Sequence, residues 1–243
     1  MKKVAYLLVI SFCFLPAIVS AQELTLYGEG FIPTGRYAKS LIVQNSSGEY
    51  YPMCAITDSE NWLGGAGGGW GVGLEYAQNI GRKNIDMVVD FGFRMGWTNS
   101  DVRQYFEDYA KNNRAIGIAK APMYYNFPLL LGPRWTFDLS KSLDMFFALE
   151  FGGNLRLISD AVYTEKQFAD YYTAATFGFR VAAGVLLFDH LRLEANWSWL
   201  GDDPVEATIY GYYDPSDGHT KTLSGLYGNM ETMQFSLRAG WTF

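Results

Sequence analysis

Apolar and polar residues alternate along much of the chain with a period of two. From Met233 to Phe243 every odd position is apolar and every even one is small or polar, with one Arg at 238. That period predicts a strand with one apolar and one polar face. The pattern recurs in seven further segments. Over 191–200, Leu191, Leu193, Ala195, Trp197 and Trp199 oppose Arg192, Glu194, Asn196 and Ser198. Over 176–188, Phe177, Phe179, Val181, Ala183, Val185 and Leu187 oppose Gly178, Arg180, Ala182 and Gly184. Over 145–158, Met145, Phe147, Leu149, Phe151 and Leu155 oppose Ala148, Glu150, Gly152, Asn154 and Arg156. Over 123–138, Tyr125, Phe127, Leu129, Leu131, Trp135 and Phe137 share the apolar face. Over 86–98 it is Met87, Val89, Phe91, Phe93, Met95 and Trp97. Segment 69–79 carries Trp70, Val72, Leu74 and Tyr76, and the weakest, 23–33, sets Leu24, Leu26 and Ile32 against Tyr27, Glu29 and Phe31.

The connections fall into two kinds. Segments 81–84, 140–143 and 189–190 are short turns, whereas 34–68, 99–122, 159–175 and 201–229 are long. Most strands exceed the ~9–11 residues that cross a bilayer at a tilt. An even strand count with turns and long loops alternating predicts an all-β fold, an eight-stranded antiparallel up-and-down transmembrane β-barrel, its long loops extracellular. A soluble eight-stranded barrel has the reverse polarity, apolar inside. Six Arg in such an apolar lumen would be hard to pack, which favours the membrane form. Trp97, Trp135, Trp197, Trp199 and Trp241 near strand ends suit interfacial girdles.

Residues 1–21 read as a signal peptide. Lys2 and Lys3 precede an apolar run, and Val19-Ser20-Ala21 supplies small residues for cleavage. The expected mature domain is 22–243, or 243 − 21 = 222 residues. Without those two lysines, 19 − 2 = 17 basic residues face 25 acidic ones, a net charge of −8. That balance excludes a nucleic-acid partner. Cys54 alone remains beyond the leader, so no intrachain disulfide is expected.

The polar faces collect Glu29, Glu75, Asp86, Asp90, Asp138, Glu150 and Glu194 with Arg94, Arg134, Arg156, Arg180, Arg192 and Arg238. Isolated buried charges would cost several kcal/mol each, so near balance implies a paired network. The planar guanidinium fork suits such pairing. An eight-stranded barrel is just wide enough inside for side chains to fill. These charges, with Tyr124, Leu130 and Phe146, are therefore expected to plug the lumen. The alternative is a small-solute path, given room by Gly92, Gly96, Gly152, Gly178, Gly184 and Gly240.

Chemistry is sparse. Hydrolysis in such barrels commonly needs a His beside a nucleophile or activated water. His190 falls in a predicted turn. His219 lies with Asp214, Ser216 and Asp217 in a turn-forming stretch, and their spacing fits no catalytic or calcium motif. No catalytic residue, metal or cofactor is expected, and a surface enzyme built on His219 is the least favoured reading. Tyr210, Tyr212, Tyr213 and Tyr227 in the last long loop, like Tyr50 and Tyr51 beside Cys54, are candidates for contact with a surface ligand of unknown identity. The run Gly64–Gly69 lacks the residues of a phosphate loop and reads as a flexible lead-in to a strand.

The final strand resembles the closing strand of bacterial outer-membrane β-barrels, whose terminal aromatic the assembly machinery reads; Phe243 and Trp241 stand at those places. Tyr124-Tyr125-Asn126-Phe127-Pro128-Leu129-Leu130-Leu131 resembles the aromatic-x-x-Ile-Pro-Leu-Leu-Leu signature of PorT-type barrel domains, with Asn126 and Gly132 where that family commonly has Glu and Lys. The whole mature chain resembles small eight-stranded barrels such as the membrane domain of outer-membrane protein A. The resemblance implies a place in the outer membrane of a Gram-negative bacterium. The partners it implies are periplasmic chaperones and the barrel-assembly machinery, then outer-membrane lipids and lipopolysaccharide. Surface interaction or envelope structure is the expected role.

Overall fold

A computed structural model describes residues 23–39, 42–44, 50–52, 65–82, 84–112, 119–164, 166–214 and 218–243. The predicted leader 1–21, Cys54, Gly64 and the 215–217 stretch lie outside the described residues. In chain order the first elements are β1 (Glu23–Pro33), α1 (Gly35–Ala38), β2 (Ile42–Gln44), β3 (Tyr50–Pro52), β4 (Ala66–Arg82) and β5 (Ile85–Thr98). There follow α2 (Ser100–Asn112), β6 (Tyr124–Ser140), β7 (Leu143–Ile158), β8 (Ala161–Val162) and β9 (Phe168–Tyr171). The chain ends with β10 (Ala174–Leu187), β11 (Leu191–Asp214) and β12 (His219–Thr242).

The eight long strands pair antiparallel in the order β1–β4–β5–β6–β7–β10–β11–β12, and β12 returns to β1. The register at the closure is Leu26↔Trp241, Glu29↔Arg238 and Ile32↔Phe235. With no open edge left in this ring, every strand finds two partners, the arrangement that defines a closed barrel. The strand alternation then decides what faces where. Along β5, Val88, Asp90 and Arg94 are buried inside while Met87, Phe91 and Trp97 are exposed on the wall. The same split puts Leu131, Phe177 and Leu237 outside at more than half exposure. The polarity is thus charged inside, apolar outside.

Short turns close one end. The β10–β11 turn takes Phe188 and Asp189 at φ 53° and 63°, the positive values a tight hairpin needs at both central residues. It therefore begins at Phe188, which the alternation had placed in the strand. At the other end the long connections are not structureless. The 99–122 segment holds α2: Asn99 Oδ1 caps it by accepting from Val102 N at 3.1 Å, and Asp101 sits in the first turn with Lys111 in the last. The 34–68 segment holds α1 and the β2–β3 pair. The 159–175 segment folds into β8 and β9.

The largest departure lies at 201–229, expected as a loop. There β11 and β12 run on together to Asp214↔His219. Register shifts after Trp199, Pro204 and Ile209 interrupt the pairing. Each bulge resets which face a side chain takes, so a pattern search stops at the first one although the strands continue. Val205, Ala207 and Ile209 of this extension, with Tyr37 of α1 and Val102 and Phe106 of α2, form a buried apolar cluster capping the loop end of the barrel. Ala66, Gly67 and Gly68 were expected in a flexible lead-in, yet β4 already begins at Ala66. Gly69, where the strand was expected to start, sits under the Phe31 ring, and a Cβ there would come within 2.4 Å of Phe31 Cζ.

Phe106 is 2% exposed at the centre of the cap. Phe106→Ala is expected to lower unfolding stability by about 3 kcal/mol, the usual cost of removing a buried ring. Urea titration in lipid vesicles should show this with the folded, heat-modifiable gel band retained; an unchanged midpoint would mean the cap is loosely packed.

Candidate functional site

Inward-facing charges from all eight long strands converge in the lumen. Glu29 on β1 accepts from Arg94 Nε at 2.6 Å and from Arg238 Nε at 2.9 Å. Arg238 also reaches Asp90 at 3.0 Å, and Asp90 accepts from Tyr27 Oη at 3.1 Å. Arg180 lies 3.0 Å from Asp90 and donates through Nη2 to both Glu150 oxygens at 2.5 Å. Glu75 accepts from Arg134 at 3.2 Å and from Arg192, which also pairs with Glu194 at 2.7 Å. Arg134 spreads further to Asp86 at 2.9 Å and to Glu23.

The deep part of this web is balanced. Glu29, Glu75, Asp90, Glu150 and Glu194 face Arg94, Arg134, Arg180, Arg192 and Arg238, with no side chain above 7% exposure. Glu23 and Asp86, more exposed at 36% and 16%, add negative charge where the web meets the short-turn end. Two aromatic rings lie against the cations: Arg238 sits 4.0 Å from the Tyr27 ring centre and Arg192 4.2 Å from that of Phe146.

Two of the expected members stand apart. Asp138 is exposed near the 140–143 turn, level with Asp144 in register. The strand outlasts the enclosed lumen there, so an inward-phase residue reaches solvent. Arg156 is buried but pairs with Asp203 at 2.8 Å and donates to Met230 O at 3.1 Å, an anchor for the β11–β12 extension rather than a link in the central web. Conversely, Glu23, Tyr27, Ser198, Gln234 and Asp203 act here without having been named for the network. Ser198 and Gln234 both accept from Arg94 Nη1 at 2.9 Å. Their inward phase was legible in the alternation; their shared partner Arg94 lies four strands from Ser198 and three from Gln234 around the ring and was not.

The interior glycines do not leave open space. A Cβ on Gly184 would come within 2.5 Å of Phe146, on Gly96 within 3.2 Å of Phe31, and on Gly92 within 3.1 Å of Tyr27 Oη. Large rings from neighbouring strands lie over the bare positions. Leu130 is fully buried among them. Above this layer Tyr37 packs edge-on against Tyr124 at 5.6 Å, and burial pushes its phenol up to about 12.

The remaining candidates are peripheral. Tyr210 stacks on Phe168 at 4.7 Å on the β11–β9 sheet. Tyr212, Tyr213 and Tyr227 belong to β11 and β12 rather than a loop, and their side chains lie outside the described residues, as do those of Tyr50 and Tyr51. His219 opens β12 and is exposed, opposite Asp214 in register. His190 stacks on Trp241 at 5.2 Å, with its Nδ1 3.0 Å from Thr242 O. Phe243 is exposed, its N–H donating to Leu24 O at 2.9 Å. No group of His, Cys, Asp and Glu among the described residues could hold a metal ion.

No family model matches the chain, so the PorT-type resemblance of the Tyr124–Leu131 segment finds no support there. No curated protein matches it either. Among solved structures it is similar to outer membrane protein OprG from Pseudomonas aeruginosa, at 11% identity over 92% of this chain and 96% of that one, TM-score 0.49. It is also similar to Neisserial surface protein A, at 9% identity over 90% and 95%, TM-score 0.42. The outer membrane protease OmpT from Escherichia coli is similar at 8% identity over 92% and 97%, TM-score 0.41. Likeness at this level carries nothing about activity; the barrel stands on its own strand pairing.

Replacing Arg134 and Arg180 together by Ala would leave Glu75, Asp90 and Glu150 with too few cations. Breaking one buried pair typically costs about 3–5 kcal/mol. A large drop in thermal stability is expected; a melting temperature equal to that of the unaltered chain would show that the charges are not paired as drawn.

Proposed function

We propose that the chain is an outer-membrane β-barrel protein of a Gram-negative bacterium with a plugged lumen, acting through its loop end in surface interaction or envelope structure. The outer wall supports the membrane setting. Outward residues of β5 run Met87, Val89, Phe91, Phe93, Met95, Trp97 without a charge, and β10 and β12 present Phe177 and Leu237 to the surroundings. In water that wall would be an aggregation surface; in hydrocarbon it is the favoured one. Phe243 and Trp241 would serve as the signal read by the assembly machinery. Periplasmic chaperones would deliver the chain, after the 1–21 leader has directed its export.

The observation that carries the plug is the filling of the glycine positions by Tyr27, Phe31 and Phe146 beside a neutral set of five carboxylates and five guanidinium groups. The cap of α1 and α2 closes the loop end above it. One observation favours the second reading, a small-solute path. Arg94 Nη2, Gln234 Nε2 and Asn196 Oδ1 are buried with no hydrogen-bond partner among the described residues. Polar atoms of that kind can line a wet path.

Planar-bilayer conductance separates the two. Refolded protein whose gel band shifts only after boiling is expected to be electrically silent. Steady, reproducible channels would overturn the plug and put solute transport first. The role is non-enzymatic in this reading: His219→Ala is expected to leave lipid A and phospholipid profiles of expressing cells unchanged, and an altered profile would reopen a surface enzyme.

A further inference from the structure

One concave feature lies on the outside of the barrel. A groove of about 760 Å³ runs beside β1 at the loop end, lined by Gly30, Ile32, Gly68, Trp97, Phe235 and Leu237. Its volume falls within the ~300–1,000 Å³ of ordinary ligand sites. The floor is bare backbone. A Cβ built on Gly30 or on Gly28, one step further along the same face, meets nothing within 4 Å. Their outward neighbours in register are Val72 and Ala239 beside Gly28, and Trp70 and Leu237 beside Gly30. Two missing side chains, about 7 Å apart along a strand, thus open a narrow slot between taller apolar walls.

The upper end of the groove changes character. Asn99, Ser100 and Arg103, at the start of α2, close it. Arg103 is exposed and takes part in no ion pair among the described residues; the α2 pair Lys111–Asp108 lies towards the far end of the helix. Asn99 Nδ2 donates to Ala38 O at 3.1 Å, which ties the end of α1 to the start of α2, and Arg103 is the cation among the groove's lining residues. Asp101, two residues before Arg103, accepts from Ser100 Oγ at 3.3 Å. On a chain whose net charge is −6, an arginine outside any ion pair among the described residues stands at the mouth of an apolar slot.

We propose that this groove binds a phosphorylated, multiply acylated glycolipid of the outer leaflet (lipid A), one acyl chain lying over Gly28 and Gly30 and a phosphate at Arg103. The inference rests on the membrane-spanning reading, which places the loop end at the outer leaflet. A thin flexible chain fits a slot floored by glycine, and the uncompensated guanidinium matches a phosphate bidentately. A second copy of the barrel would present a convex, uncharged wall to the slot.

The test uses full-length refolded protein in detergent micelles, with native mass spectrometry titrating three probes: lipid A, its dephosphorylated form, and phosphatidylglycerol. The unaltered chain is expected to prefer lipid A over the dephosphorylated form by about tenfold or more, the effect of one charged hydrogen bond. Arg103→Gln should erase that preference. Gly30→Leu, at a position where a Cβ meets nothing within 4 Å, should weaken lipid A and its dephosphorylated form alike. Equal binding of lipid A and its dephosphorylated form by the unaltered chain overturns the phosphate contact without any substitution. Phosphatidylglycerol binding as tightly as lipid A shows a general lipid crevice and overturns the assignment. Loss of the heat-dependent gel shift in the unaltered chain would sink the barrel reading itself, an outcome distinct from a folded barrel that shows no preference.

Discussion

Everything in this molecule depends on compensating charge inside a ring of eight strands. Such a ring encloses a space only a side chain or two across. Guanidinium and carboxylate groups placed there lose most of their water, and each would cost several kcal/mol alone. The structure offsets this by sharing: Asp90 faces Arg180, Arg238 and Tyr27, and Glu75 faces Arg134 and Arg192. Because each acid bridges cations from different strands, the web ties β1, β4, β5, β6, β7, β10, β11 and β12 together across the lumen as well as around it, once Tyr27 and Glu29 of β1 are included.

The apolar outer wall follows from the same arrangement. With the charges turned inward, period-two alternation sends Phe, Leu, Met and Trp outward. Glycine and aromatic residues then divide the inner volume. Where the web needs a strand to come close, a glycine stands on the inward face, and a ring from elsewhere covers it, as Phe146 covers Gly184. The outward glycines Gly28 and Gly30 have no such cover. That contrast separates a filled interior from a wall that keeps one recess.

At the loop end the chain abandons simple alternation. Bulges after Trp199, Pro204 and Ile209 turn the β11–β12 ribbon so that Val205, Ala207 and Ile209 can pack with α1 and α2. Arg156–Asp203 fastens that ribbon to β7 at 2.8 Å. The cap is therefore an ordinary soluble core standing on the barrel, built from short helix spacing and broken strand phase.

The alternation alone determined the eight strands, their antiparallel order, the inward phase of Asp90, Arg94, Glu150, Arg180 and Arg238, and the outward phase of Phe91 and Leu237, because side-chain direction in a strand is a local property of the backbone. Short turns were legible for the same reason. Tertiary structure decided the rest. Which Arg meets which acid depends on the closing register Glu29↔Arg238 and on contacts across the lumen, between residues far apart in sequence. It placed Asp138 in solvent and gave Arg156 a private partner, since the lumen's length, not a residue's phase, determines where enclosure ends. Bulges hid the long ribbon because they shift phase without ending the strand, and α2 became visible only through the cap it completes. Phase is written residue by residue; enclosure belongs to the closed ring, and no single segment contains it.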